Sequence, residues 1–386
     1  MKQLFLSHYS LHAEEIAVLA RELRFRGIRP WVDKQGGFLI ADESAASAKR
    51  AICEECLGFL LYATEDVFDR DFIRKHEVPP ALQMKECDDA YLLFAVPRNL
   101  GFDSLKQRSE EAFGADLSQY HTRPVNGDSV EAQCALKSLA TDVTTTVLRL
   151  SDLGPGASVG IQFSTRELAP VEDNDVLTID GSEAYAQRDS MSRFEELVTG
   201  MRDAKRAVSE RYGRPRLRVH GFKHLSAAFL FGRVFQPFEM TVRQTPAEFW
   251  SLDAEAATER VLDAEASFVP HATELAVQIS SRHKDLTPAV NEAMNWMPFN
   301  RLVLRPSATP LDVDEAMGAA MVRDCYREIE KELASHPVNR IHVFAAAPQA
   351  VLMGLGKKFA GMPETLVYDY NGDAYDSPKL ISGGVL

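Results

Sequence analysis

Three features of this 386-residue sequence predict a two-part α/β protein. Short apolar runs alternate with amphipathic stretches through the first 150 residues. A Gly154-Pro155-Gly156 break follows. Beyond the break, one order of strands and helices occurs twice. Strands and helices alternating at these lengths imply parallel sheets covered on both faces. The expected fold class is α/β: a flavodoxin-like parallel-sheet domain over residues 1–150, a linker at 151–157, and a tandem Rossmann-like domain over 158–386.

The first domain reads element by element. Gln3 to Ser7 is a buried strand, and Ile16, Leu19, Ala20 and Leu23 recur at helical spacing until Gly27 ends the helix. Ile28 to Val32 is a second strand, followed by a loop with Gly36 and Gly37 and a helix from about Ser44 to Cys56. Leu57 to Tyr62 and Tyr91 to Val96 are further strands, with a helical stretch from Asp71 to Lys85 between them. Leu100 to Asp128 has no clear period and reads as connecting structure, and a helix over Val130 to Leu150 closes the unit. Open parallel sheets bind ligands outside the carboxyl ends of their strands. That edge carries Ser7, His8 and Tyr9, then Asp33, then the segment leading to Glu77.

Composition narrows the function classes. A hydrophobic content of 45% is enough for real cores. A net charge of −13 argues against long nucleic acid, which draws on many Lys and Arg contacts to phosphate. A small anionic ligand needs only a local basic group and backbone amides. The five cysteines do not form a disulfide framework, and the Cys53/Cys56 pair lies in a helical pattern without a second pair. Met1 to Leu6 runs straight into a strand, so no signal peptide is expected. No apolar run approaches the roughly 20 residues that span a bilayer. The expectation is a soluble, cytoplasmic protein without a membrane partner. His76-Glu77 lacks the second histidine of a zinc HExxH motif, and Gly354-Leu355-Gly356-Lys357-Lys358 lacks P-loop spacing. No metal and no cofactor are expected.

The C-terminal region repeats itself. Ile161 to Arg166 resembles Val277 to Arg282 at an offset of 116, and Val219 to Phe235 resembles Val343 to Phe359 at an offset of 124. Gly232 then falls on Gly356, and Thr241 on Thr365. The related halves cover about 158–250 and 274–370. Arg166 and Arg282 follow matching strands, and His283 and Lys284 extend the second of them. Lys223 and His224 lie between a strand and a helix start, a position that Ala345 to Gln349 occupy in the other half. Helix N-termini and basic residues together suit phosphates. The candidate ligand cleft is therefore Lys223, His224, Arg282, His283, Lys284, Pro348 and Gln349, with Trp250 and Tyr370 beside it. Each single Arg or Lys also reads as an ordinary solvated charge.

Phe5-Leu6-Ser7-His8-Tyr9-Ser10, Pro30-Trp31-Val32-Asp33 and Asp71-Phe72-Ile73-Arg74-Lys75-His76-Glu77-Val78 resemble the successive boxes of a TIR domain. Asp71 and Phe72 or Ile73 stand where the family has serine and tryptophan. The resemblance implies that Glu77 is the catalytic glutamate of an NAD+-cleaving TIR domain. Ser7, Tyr9, Trp31, Asp33 and Phe38 would line the substrate pocket. Tyr9 and Trp31 read equally as core aromatics beside strands, and Glu77 alone as a solvated helix residue.

Ile341 to Pro348 with Gly354 and Gly356, then Leu366 to Tyr370, and the run from Val242 through Gln244 to Trp250, resemble a SAVED domain, which is related to a fused pair of CARF units. The two resemblances together imply a TIR-SAVED effector of CBASS-type antiphage signalling. It would hydrolyse NAD+ once a cyclic oligonucleotide, expected to be a cyclic trinucleotide, binds the SAVED domain. NAD+ is then substrate, the cyclic oligonucleotide is activator, and activation runs through head-to-tail self-association or filaments. The alternatives are a non-enzymatic TIR adaptor gated by a cyclic nucleotide, and a Rossmann-type small-molecule enzyme. No cofactor fingerprint supports the last.

Overall fold

A computed structural model describes residues 3–32, 41–120, 123–151, 153–154, 156–166, 172, 175–186, 191–221, 223–282, 285–295, 297–307, 313–371 and 374–381. The chain divides into two compact units, Met1–Asp152 with Val171–Ile179 and Arg206–Arg211, and the remainder from Leu153 to Leu386. Both are mixed α/β with parallel sheets, the expected fold class.

In chain order the first unit contains β1 (Gln3–Ser7), α1 (Ala13–Phe25), β2 (Pro30–Trp31), α2 (Ala41–Arg50), β3 (Cys56–Ala63), α3 (Val78–Cys87), β4 (Leu92–Pro97), α4 (Phe102–Phe113) and α5 (Ser129–Leu150). Its four strands are parallel in the order β2-β1-β3-β4. Alternate strand residues supply two cores. Leu4, Leu6, Leu60, Phe94 and Val96 pack with α1 and α5, while Phe5, Phe59, Leu61, Leu93 and Ala95 pack on the opposite face. Gly27, at φ 92°, ends α1 where a side chain would be strained. Asp128 and Glu131 form a capping box that starts α5.

Three elements depart from the sequence reading. The helix expected over 44–56 gives way after α2 to a π-helical turn, Ala51–Glu55, and Cys56 opens β3. The helix expected over 71–85 is interrupted by a π-helical turn, Ile73–Glu77, before α3 begins. Pro79 and Pro80 then occupy the first turn of α3, where a missing N–H costs nothing. The stretch 100–128 is not all connection, since α4 lies within it and ends at Gly114 in the left-handed region. Only Leu105 and Ser109 of α4 are buried, too few to write a helical period.

The rest of the chain adds β5 (Val159–Ser164), β6 (Asp175–Asp180), α6 (Ser182–Ala186), α7 (Met191–Tyr212), β7 (Leu217–His220), α8 (Leu225–Val234), β8 (Met240–Thr245), β9 (Glu248–Ser251), β10 (Leu262–Ser267), β11 (Glu274–Ser280), α9 (Thr287–Ala293), β12 (Asn300–Pro306), α10 (Glu315–Ser335), β13 (Arg340–Ala346), α11 (Gln349–Lys358), β14 (Glu364–Tyr368) and β15 (Lys379–Ile381). Strands β5-β7-β8-β9 are neighbours in one sheet, and β11-β13-β14-β15 in another. In each set the first three strands are parallel and the last is antiparallel.

The halves meet through α8 and α11. A Cβ on Gly232 would overlap the Met353 carbonyl, and a Cβ on Gly356 would overlap the Phe229 carbonyl. Each glycine thus touches the backbone of the other helix. These are the two glycines that the internal repeat superposes, and their lack of a side chain permits the close crossing.

Candidate functional site

In the first unit the carboxyl end of β1 meets the π-helical turn. Glu77 is buried, and its carboxylate accepts a hydrogen bond from the Ser7 hydroxyl. The residues are 70 apart in sequence. Burial of a carboxylate is costly without such donors, so the hydroxyl both satisfies and orients it. Tyr9 lies under the Arg70 guanidinium, 3.7 Å from ring centroid to carbon. Trp31 stacks on Phe5 at 4.4 Å and 14°, and Phe5 in turn stacks on Phe59. One face of Trp31 therefore belongs to the core, while the residue as a whole is only half-buried. Asp33 and Phe38 lie outside the described residues. Among the described residues no cluster of His, Cys, Asp and Glu suits a metal ion. None of the described helices is long and apolar enough to cross a membrane.

The second unit holds a cavity of about 520 Å³ at the carboxyl ends of β11 and β13. Its floor is Ala345, Ala346, Ala347 and Pro348, just before α11. Ser281 and Arg282 form one wall, and Tyr370 and Tyr375 another. The Ser281 hydroxyl donates to the Ala346 carbonyl at 3.1 Å, which pins the two strand ends together. Arg282 is exposed and offers a cation to an anionic ligand. At the start of α11 the Ala350 N–H donates to the Gln244 side-chain carbonyl at 3.3 Å. That partner is neutral, so the positive end of the helix has no formal charge against it.

At the matching end of the other half the described side chains bond to one another. The Thr165 hydroxyl bonds to His224 Nδ1 and to the His224 N–H, both at 2.9 Å. The imidazole stacks on Tyr185 at 4.6 Å and 10°. Burial pushes the His224 imidazole below its ordinary value; Asp369 opposes the shift and Arg166 adds to it. The Tyr185 hydroxyl meets Ser226 at 3.0 Å. Asp369 accepts from the Ser226 N–H at 3.0 Å and from the Ser226 hydroxyl. A carboxylate already occupies the N-terminus of α8.

Lys223 is buried between the two helix starts. Its ammonium donates to the Gly221 carbonyl at 2.8 Å and to Gln349 Oε1 at 3.5 Å, and the Gln349 amide returns a bond to the Lys223 carbonyl. Burial pushes this ammonium down to about 7.

The structure thus brings Arg282, Pro348 and Tyr370 to one cavity and does not bring Lys223, His224 or Trp250 there. Trp250 pairs across the β8–β9 hairpin with Val242, bonds to Glu248, and packs over Gly318. Gln349 sits beside the cavity floor but spends its amide on Lys223. His283 and Lys284 lie outside the described residues. Sequence reasoning missed Ser281, Tyr375 and Asp369. The first was in reach, as the partner of Thr165 in the internal repeat; the other two carry no signal of that kind.

Residues 197–378 match the model of the SMODS-associated and fused to various effectors sensor domain, SAVED. That stretch is a SAVED domain. It contains every residue that lines the cavity. Among solved structures the chain resembles the SAVED/CARF-domain containing receptor Cap4 of Acinetobacter baumannii with the cyclic trinucleotide 2'3'3'-cAAA, at 17% identity and a TM-score of 0.51. The match covers 89% of this chain and 86% of that one. The same receptor with 3'3'3'-cAAA matches at 14% identity and a TM-score of 0.50, over 97% of this chain and 98% of that one. At these identities the likeness is one of fold. No curated protein matches the sequence.

Proposed function

We propose that this chain is an NAD+ hydrolase whose SAVED domain senses a cyclic oligonucleotide. The observation that carries the enzymatic half is the buried Glu77 carboxylate held by Ser7 at the strand edge where such sheets bind ligands. Cleaving the bond between ribose and nicotinamide builds positive charge on the sugar, as in glycoside hydrolysis. Nicotinamide leaves neutral, so the reaction needs no general acid. A desolvated carboxylate beside the ribose stabilises the oxocarbenium-like state, and the Ser7 hydroxyl keeps it aimed. Water then completes the hydrolysis at the anomeric carbon.

The sensing half is supported by the open cavity, Arg282 and the α11 N-terminus within a SAVED domain. The Cap4 receptors of like fold carry cyclic trinucleotides, and a ring of that class is the proposed activator. A ligand activates only through unequal affinity for two states of the protein. Here the favoured state is a head-to-tail assembly, in which a neighbouring subunit completes the substrate pocket.

Nicotinamide release, followed with a panel of cyclic oligonucleotides, tests both halves. Glu77→Gln keeps an acceptor for Ser7 but removes the charge. Its rate should fall by at least roughly a hundredfold while ligand binding persists. An undiminished rate would remove Glu77 from the mechanism, and release that no cyclic oligonucleotide stimulates would remove the sensing role.

A further inference from the structure

One wall of the cavity is backed by a cluster of aromatic rings. Phe344 stacks on Tyr368 at 4.2 Å. Tyr375 meets Phe344 edge-on at 4.9 Å, and Tyr370 meets Tyr375 at 5.3 Å. Tyr370 and Tyr375 face each other across an antiparallel bridge, so a short hairpin fixes both. The Asn371 side chain reinforces that hairpin by bonding Asp376 and the Ala374 N–H. Only Tyr370 and Tyr375 of these aromatics line the cavity.

The hydroxyls differ in a way that packing does not explain. Tyr368 is satisfied by His342 at 2.9 Å, and His342 is held in turn by Glu274 at 2.8 Å. The Tyr375 hydroxyl is buried and finds no hydrogen-bond partner among the described residues. A buried hydroxyl without a partner is disfavoured, and phenylalanine would fill the same place without that cost. Desolvation also pushes the Tyr375 phenol above its ordinary value, so it is a neutral donor near neutral pH.

From the cavity, the aromatic wall and the orphaned hydroxyl, we infer that Tyr370 and Tyr375 form a nucleobase subsite: a base of the ligand stacks against the rings, and the Tyr375 hydroxyl hydrogen-bonds the base edge. A base offers a flat π face to the rings and polar edge atoms to the Tyr375 hydroxyl. Arg282, which lines the same cavity, takes the phosphate side of the same nucleotide. Tyr375 is a specificity-determining residue, since the hydroxyl rewards an edge that can bond it and penalises one that cannot. The inference rests on the proposed sensing of a cyclic oligonucleotide.

The test uses the full chain and 3'3'3'-cAAA as probe, with calorimetric affinity and thermal midpoint read together. Tyr375→Phe should bind the probe about two- to tenfold more weakly. Its ligand-free midpoint should stay level or rise, because the variant deletes an unsatisfied group. Tyr370→Ala should lose about five- to a hundredfold in affinity. Unchanged affinity in Tyr375→Phe, or weaker affinity accompanied by a lowered ligand-free midpoint, would overturn the subsite by showing that the hydroxyl serves the fold. Failure of the wild-type chain to bind any cyclic oligonucleotide would instead overturn the sensing role on which it rests.

Discussion

The two halves of the C-terminal unit share a topology and a helix crossing, yet the ends of their strands are furnished oppositely. Where one half has Lys223 and His224, the other has Ala347 and Pro348. In the first, the Thr165 hydroxyl bonds His224, Tyr185 stacks on that imidazole, and the Asp369 carboxylate caps α8. In the second, alanines leave a cavity of about 520 Å³, and a neutral amide caps α11. A duplicated unit needs only one open end to hold a ligand. We propose that the ligand takes the end with the cavity and the exposed Arg282.

The largest expected effect breaks the comparison at Lys223 against Ala347. The unfolded chain keeps a proton on Lys223 up to its ordinary 10.5, whereas burial brings the folded group down to about 7. Between those values the unfolded state binds more protons, so stability rises with pH. Below about 7 both states are protonated, and the folded protein carries a buried cation. Ala347 has nothing to titrate. The stability of wild type relative to Lys223→Met should climb by about 1.4 kcal/mol per pH unit, or about 2–3 kcal/mol from pH 7 to 9. Urea midpoints at matched pH measure it, and a flat difference would show that Lys223 keeps its proton in the folded state.

The arginines come next. Arg282 and Arg166 superpose in the repeat and are both exposed, but only Arg282 borders the cavity. Arg282→Ala should weaken cyclic-oligonucleotide binding about tenfold, near 1.5 kcal/mol, at the low end for a charge-assisted contact because solvent screens it. Arg166→Ala should leave affinity unchanged. Equal losses in both variants would mean that the ligand straddles both halves.

What the sequence revealed follows the same divide. The repeat was legible because core residues and the glycines of the helix crossing recur at fixed offsets, and packing enforces both. The resemblance to TIR boxes singles out Ser7 and Glu77, although nothing local announces that they touch. Lys223 and His224 suggest ligand groups by sequence because their chemistry suits phosphate. In the structure Lys223 is buried and His224 stacks on Tyr185, which lies 39 residues before it on a five-residue helix. Trp250 is buried, and an aromatic on a strand fills a core as readily as a cleft. Tyr375 and Asp369 act through geometry across the sheet, where no sequence period reaches.

The smallest expected effect is the most selective, because it exchanges the two helix caps. The Ser226 N–H near the start of α8 faces a carboxylate, and the matching Ala350 N–H of α11 faces an amide. A negative charge at a helix N-terminus is worth about 0.3–1 kcal/mol, and more when partly buried. Asp369→Asn should therefore lower stability by about 1 kcal/mol, since it keeps the shape but removes the charge from a buried cap. Gln244→Glu should do the reverse, raising stability by a few tenths of a kcal/mol as α11 gains the charge that α8 already has. The same substitution puts an internal anion where the ligand phosphate is proposed to sit, so affinity should fall a few-fold as stability rises. Chemical denaturation and calorimetry on one preparation read both signs. A Gln244→Glu variant that is stabilised yet binds ligand as tightly as wild type would leave the open cavity in place but move the phosphate away from α11.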